Sequence, residues 1–86
     1  MPPAFVVYIL QSKSSGRFYV GHTNNLRDRI QRHNSGRTLA NKGKGPFELV
    51  HVEYFPTRTE AALREREIKS KKRRGYIAHL LRTSRA

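Results

Sequence analysis

Cysteine and tryptophan are absent from this 86-residue chain, methionine occurs once, and acidic residues number only 6. Without cysteine there can be no disulfide framework, no zinc–thiolate cluster and no thiol nucleophile. No apolar run approaches the length of a membrane span, and the longest, residues 4–10, suits a buried strand. Residues 1–3 carry no signal-peptide pattern. The length fits one domain over residues 1–86, with a core small enough that a few residues must hold it together. These absences point to a cytoplasmic protein with no membrane partner and, by default, a monomer.

The shortage of acid is lopsided. Lys and Arg number 18, giving a formal charge of +12, and twelve of the cations are Arg. A small domain so charged repels itself, and a polyanion offsets that cost. Nucleic acid is the expected one, bound with steep salt dependence because each neutralised phosphate releases counterions. An acidic membrane ranks lower, because the basic segments lack a strongly apolar opposite face. The cations cluster. Lys69, Lys71, Lys72, Arg73 and Arg74 form one block, and Arg37, Lys42 and Lys44 sit in a glycine-rich stretch. Arg37, Lys42, Lys44, Lys72 and Arg73 are the candidate phosphate contacts, which position a strand without reading its sequence.

Hydrophobic patterning predicts an α+β fold of order ββαβαα: an antiparallel N-terminal hairpin and a third strand, flanked by helices. Residues 5–11 are β-branched and aromatic on both faces, as in a central strand. A turn cluster around Gly16 leads to a short second strand over 18–21. Thr23, Asn24 and Asn25 are N-cap types ahead of a helix over 25–34, which Gly36 stops. Residues 47–55 alternate, placing Val50, Val52 and Tyr54 on one face and Leu49, His51 and Glu53 on the other. Pro56 ends that strand, and Thr57 with Glu60 forms a capping box for a helix over 59–72. Gly75 is expected to break it before a last short helix over 76–81.

Three features stand out against this frame. Glu65 shares a helix face with Ala61 and Ile68, where a carboxylate is costly unless paired or bound to a cation. A salt bridge to Arg64, Arg66 or Lys69 is the structural explanation. Arg29 and His33 lie one helical turn apart beside the Leu26–Ile30 stripe, which is also what the surface helix of a basic protein offers. Tyr8 and Tyr19 fall on the two hairpin strands, with Gly21 on the face of Tyr19, where a missing side chain permits close approach. Two core tyrosines account equally for that pair.

Taken together, these residues resemble the GIY-YIG nuclease family, in particular its small stand-alone bacterial members. The first motif triplet stands here as Val6-Val7-Tyr8 and the second as Tyr19-Val20-Gly21. The run from His22 through Thr23, Asn24, Asn25 and Leu26 to Arg29 and His33 resembles the family's hairpin-to-helix junction. The segment from Ala62 to Lys69 resembles its acidic helix. Val6 and Val7 replace the Gly and Ile of the family name, and neither of those supplies a reactive atom. No Asn follows Asn41, so the late Asn of some relatives has no counterpart.

The resemblance implies a divalent-metal-dependent DNA endonuclease using Mg²⁺ or Mn²⁺, with structure or single-strand preference and a role in DNA repair or processing. It places the metal ligand on Glu65, with Glu67 as a second acid if the register slips. It places the essential guanidinium on Arg29, the motif phenols on Tyr8 and Tyr19, and the helix imidazole on His33. Gly21 would leave room for the scissile backbone. The rival expectation is a non-catalytic module that binds DNA or RNA with the same cations. Such a binder has no use for Tyr8, Arg29 and Glu65 together.

Overall fold

The computed structural model describes residues 4–35, 46–71 and 74–83. Strand β1 (Phe5–Ser12) occupies the centre of a three-stranded antiparallel sheet of order β2-β1-β3, with β2 at Phe18–Thr23 and β3 at Phe47–Phe55. Its position follows from its residues. Val7, Ile9 and Leu10 are fully buried, and only a strand covered on both faces removes an unbroken apolar run from water. The hairpin turns at Gly16, whose positive φ of 76° suits a residue without a β-carbon. Its ends are tied by Ser12 N–H to the Arg17 carbonyl at 2.9 Å and Gly16 N–H to the Ser12 carbonyl at 2.8 Å.

The two faces of the sheet carry separate cores. On one, Val7 and Ile9 pack with Ala61 and Ile68 of α2 (Arg58–Ser70) and Ile77 and Leu80 of α3 (Arg74–Thr83). On the other, Tyr8, Leu10 and Phe47 pack with Leu26 and Ile30 of α1 (Leu26–Ser35). Helix α1 begins where the Asn25 side chain accepts from Asp28 N–H at 3.1 Å. Helix α2 begins with the expected capping box: Thr57 Oγ1 accepts from Glu60 N–H and donates to the Glu60 carboxylate, each at 3.2 Å.

The expected ββαβαα architecture is the one observed, with three local differences. Strand β2 runs on to Thr23, because His22 and Thr23 stay paired with Val7 and Val6. The alternation of β3 is interrupted. The pairing slips between Ile9 and Leu10, which face His51 and Leu49, so Val50 is left over. Val50 therefore packs towards α2 and α3, while Leu49 joins Val52 on the α1 side, the reverse of strict alternation. Gly75 does not divide the last two helices; it is the second residue of α3, and α2 is capped at Lys71.

Candidate active site

The expected site residues arise on opposite faces of the sheet. Tyr8, Tyr19 and Gly21 point towards α1, whose helix carries Arg29 and His33, whereas Glu65 and Lys69 belong to α2 on the other side. They meet at the exposed edge of β2, and Gly21 makes this possible. It lies opposite Tyr8 in the register, and a β-carbon built there would fall 2.6 Å from the Tyr8 ring carbon bearing the hydroxyl. No side chain fits in that space. The room left by Gly21 is filled by the Tyr8 phenol, not by a substrate backbone, and the buried ring thereby extends over β2 towards its edge.

There the phenol meets charge from both sides. The charge of Arg29 acts on it from the α1 side, and the charges of Glu65 and Lys69 act on it from the α2 side. Burial pushes the Tyr8 hydroxyl up from its ordinary pKa, and the opposing pull of Arg29 does not undo this. Tyr8 therefore keeps its proton at neutral pH. His33 approaches the Tyr8 ring edge-on, at a centroid distance of 6.1 Å, and Phe47 at 5.5 Å. Burial, and then the neighbouring Arg29 charge, push its imidazole below the usual histidine value, so His33 is neutral at pH 7. Tyr19 stands edge-on to Phe47 at 5.3 Å.

Glu65 is held by two partners. Its Oε1 lies 2.6 Å from His22 Nδ1, and its Oε2 accepts from Lys69 Nζ at 2.5 Å. Burial pushes the carboxyl up, but hydrogen bonds from Lys69 and His22 outweigh it and carry the value below the usual carboxylate range. The ionised carboxylate is acceptor-only, so His22 Nδ1 carries the proton. Lys69 is the expected structural partner. Arg64 is not, because it turns to Glu53 instead.

His22 is the site residue that sequence reasoning missed. Its signal was present: it follows Val20 by two positions and faces Val7, a polar residue in the register of the helix-covered face. Glu67 is exposed and bonded to Arg64, away from this cluster. The expected phosphate contacts Arg37, Lys42, Lys44, Lys72 and Arg73 lie outside the described residues.

A cavity of about 580 Å³ opens beside the cluster, with Tyr8, Tyr19, His33 and Lys69 among its lining residues. Among the described residues no three His, Cys, Asp or Glu side chains gather into a metal cage. One carboxylate with an outward-reaching partner nevertheless fits Mg²⁺, which keeps several waters and takes one or two carboxylates plus substrate phosphate oxygens. Lys69 is half exposed, so it can leave Glu65 without unpacking the core.

Residues 4–77 match the GIY-YIG catalytic domain. A UPF0213 protein of Clostridium perfringens is 45% identical over 64 residues, covering 73% of this chain and 68% of that one. The human structure-specific endonuclease subunit SLX1 is 42% identical over 65 residues, which are 70% of this chain but 23% of that protein. The solution NMR structure of a UPF0213 protein from Bacillus halodurans is similar with a TM-score of 0.59 at 35% identity, covering 94% of this chain and 86% of that one. With Tyr8, Gly21, Arg29 and Glu65 brought to one sheet edge and most of its length matched, the chain belongs to the GIY-YIG nuclease family.

Proposed function

We propose that the chain is a divalent-metal-dependent endonuclease that hydrolyses DNA phosphodiester bonds, selective for branched or single-stranded structure, in DNA repair or processing. The observation that carries this reading is that β2 gathers groups from both faces of the sheet: Gly21 makes room for the Tyr8 phenol, and His22 holds Glu65, while the charges of Arg29 and Glu65 both act on the phenol. A domain that only bound nucleic acid would gain nothing from a phenol threaded over a glycine into the field of a guanidinium and a carboxylate.

Each group has a task that its chemistry permits. Glu65 would hold the metal, with the half-exposed Lys69 free to turn to a substrate phosphate. The bound ion supplies Lewis-acid stabilisation of the phosphoryl and leaving-group oxygens. Arg29 donates to the nonbridging oxygens, where negative charge grows in the transition state. Tyr8, protonated, orients the attacking water by hydrogen bonding and is not its base. His33, neutral at pH 7, accepts the proton, directly or through the phenol. Tyr19 contributes a further hydroxyl to the cavity lining. His22 positions the carboxylate through its Nδ1–H.

The test incubates the protein with single-stranded, duplex, flapped and branched DNA in Mg²⁺, Mn²⁺ or chelator. Metal-dependent cutting that Glu65→Gln abolishes, with DNA binding kept, supports the nuclease reading. Binding without cutting under every condition leaves the basic binding module in its place. The acid limb of the pH–rate profile follows His33. Protonation there removes the base, and because its pKa is lowered, activity persists below pH 6.5, the ordinary histidine value. An acid limb at or above that value removes His33 from this role.

A further inference from the structure

We infer that the cavity at the β2 edge receives one unstacked nucleobase of the strand being cut, so that cleavage requires a nucleotide able to leave its stack. This rests on the nuclease reading and names the substrate feature that the site selects.

A phosphate calls for cations and N–H donors, which Arg17 and Lys69 supply among the lining residues, but much of the rest of the lining is hydrocarbon: Phe18 and Val20 of β2, Ile68 of α2 and Ile77 of α3. The volume of about 580 Å³ falls in the range of small-molecule pockets, roughly 300–1,000 Å³, and exceeds the needs of a diester group. Of the parts of a nucleotide, only the base presents apolar faces to such walls. The rings of Phe18 and Tyr19 flank the space from the two faces of the edge strand, and aromatic rings are what unpaired bases stack on. The exposed Arg17 stands at the mouth, where a guanidinium can hold the adjoining backbone.

Its lining makes the cavity part of the reaction centre. Tyr8 and Lys69 border it, and both also act at the Glu65 cluster. A base seated inside is therefore adjacent to the scissile phosphate. Extracting a base costs least where it is already unpaired, so flaps, ends and single strands are taken and intact duplex is not.

The experiment uses oligonucleotides carrying 2-aminopurine at successive positions around the mapped cut, bound to Glu65→Gln protein so that they stay whole. Fluorescence should change at one position beside the cut and stay level elsewhere. Val20→Trp, which fills the cavity, should erase that change and slow single-strand cleavage by about tenfold or more, the worth of a lost base stack. Should Val20→Trp unfold, wild-type protein and a substrate abasic at that position give the same test, with cutting again slowed about tenfold. A uniform fluorescence profile, an abasic substrate cut at the full rate, or duplex cut as fast as single strand each overturns the base seat. A protein that cuts nothing, yet alters 2-aminopurine at a single position, keeps the base seat and refutes the nuclease reading instead.

Discussion

Two carboxylates on the α2 and α3 side of the sheet are built from the same ingredients and do different things. Glu53 on β3 is gripped by Arg64 through Nε at 2.7 Å and Nη2 at 2.9 Å, and by His51 Nε2 at 2.7 Å. Glu65 on α2 is likewise met by a histidine and a cation. The acids themselves are equally covered, at 23% and 18% exposure, but Arg64 is 20% exposed and Lys69 is 53% exposed. Arg64 also donates to the Tyr76 hydroxyl of α3 at 3.0 Å and to Glu67, so its fork is spent in the interior, joining β3, α2 and α3. Lys69 is a single flexible ammonium beside a cavity. A carboxylate flanked by histidine and cation is thus not yet a site. The difference lies in whether the cation can leave and whether an aromatic and a guanidinium converge on the space it vacates.

The comparison breaks most visibly if the two acids are exchanged in their effects. Glu65→Gln should lower metal-dependent cleavage by about 100-fold or more, the several kcal/mol a metal site supplies, while costing less than about 1 kcal/mol of stability. Glu53→Ala should do the opposite. It takes from the largely buried Arg64 its bidentate partner, leaving Tyr76 and the exposed Glu67, and costs about 3 kcal/mol of stability, with the rate per folded molecule kept. Denaturant melts beside single-turnover rates check both. A Glu53 variant that folds normally but no longer cuts would move the centre across the sheet. Arg29→Ala comes next, with turnover down about 10²- to 10³-fold, as for loss of one transition-state donor, and DNA affinity little changed. A wild-type rate would remove it from the site.

How much of this was legible depends on the range of the interactions. The element order follows from local periodicity and turn chemistry, and the capping box of Thr57 and Glu60 needed only a spacing of three. Glu65 could be singled out because it interrupts an apolar helical stripe. What failed was decided by pairing between distant segments. The slip beside Val50 reverses Leu49 and Val50 between faces, and nothing within residues 47–55 announces it. Arg64 reads as solvated from its helix alone, because its partner Glu53 lies on another element. A still longer separation hid His22, which is 43 residues from Glu65.

A smaller effect tests how the two faces are joined. Gly21→Ala places a methyl group against the Tyr8 phenol, which must shift away from Arg29 and Glu65. Misplacement of about 1 Å can cost about 100-fold in rate, so turnover should fall by roughly tenfold to 100-fold with DNA binding retained. If Gly21→Ala cuts at the wild-type rate, the reach of Tyr8 over the edge strand has no part in the chemistry.

The smallest effect separates the two acids by salt. Arg64, by hydrogen bonding, holds Glu53 below the usual carboxylate range, and Lys69 and His22 do so for Glu65 against the push of burial. In each case the folded state surrenders its proton more readily than the unfolded chain. Each contribution to stability is therefore complete above the ordinary value of 4.5 and is lost as pH falls from there through the folded value. Melting temperature should drop on acidification below that point, and Glu53→Gln and Glu65→Gln should each flatten the drop. Their salt responses should differ. Screening at about 1 M salt, where the Debye length is about 3 Å, weakens the half-exposed Lys69 pair far more than the enclosed Arg64 fork. High salt should therefore shrink the Glu65→Gln difference to the share carried by the enclosed His22 bond and spare the Glu53→Gln one. Equal loss of both would mean that Arg64 is as open to solvent as Lys69, and that the contrast between a closed structural pair and an openable one does not hold.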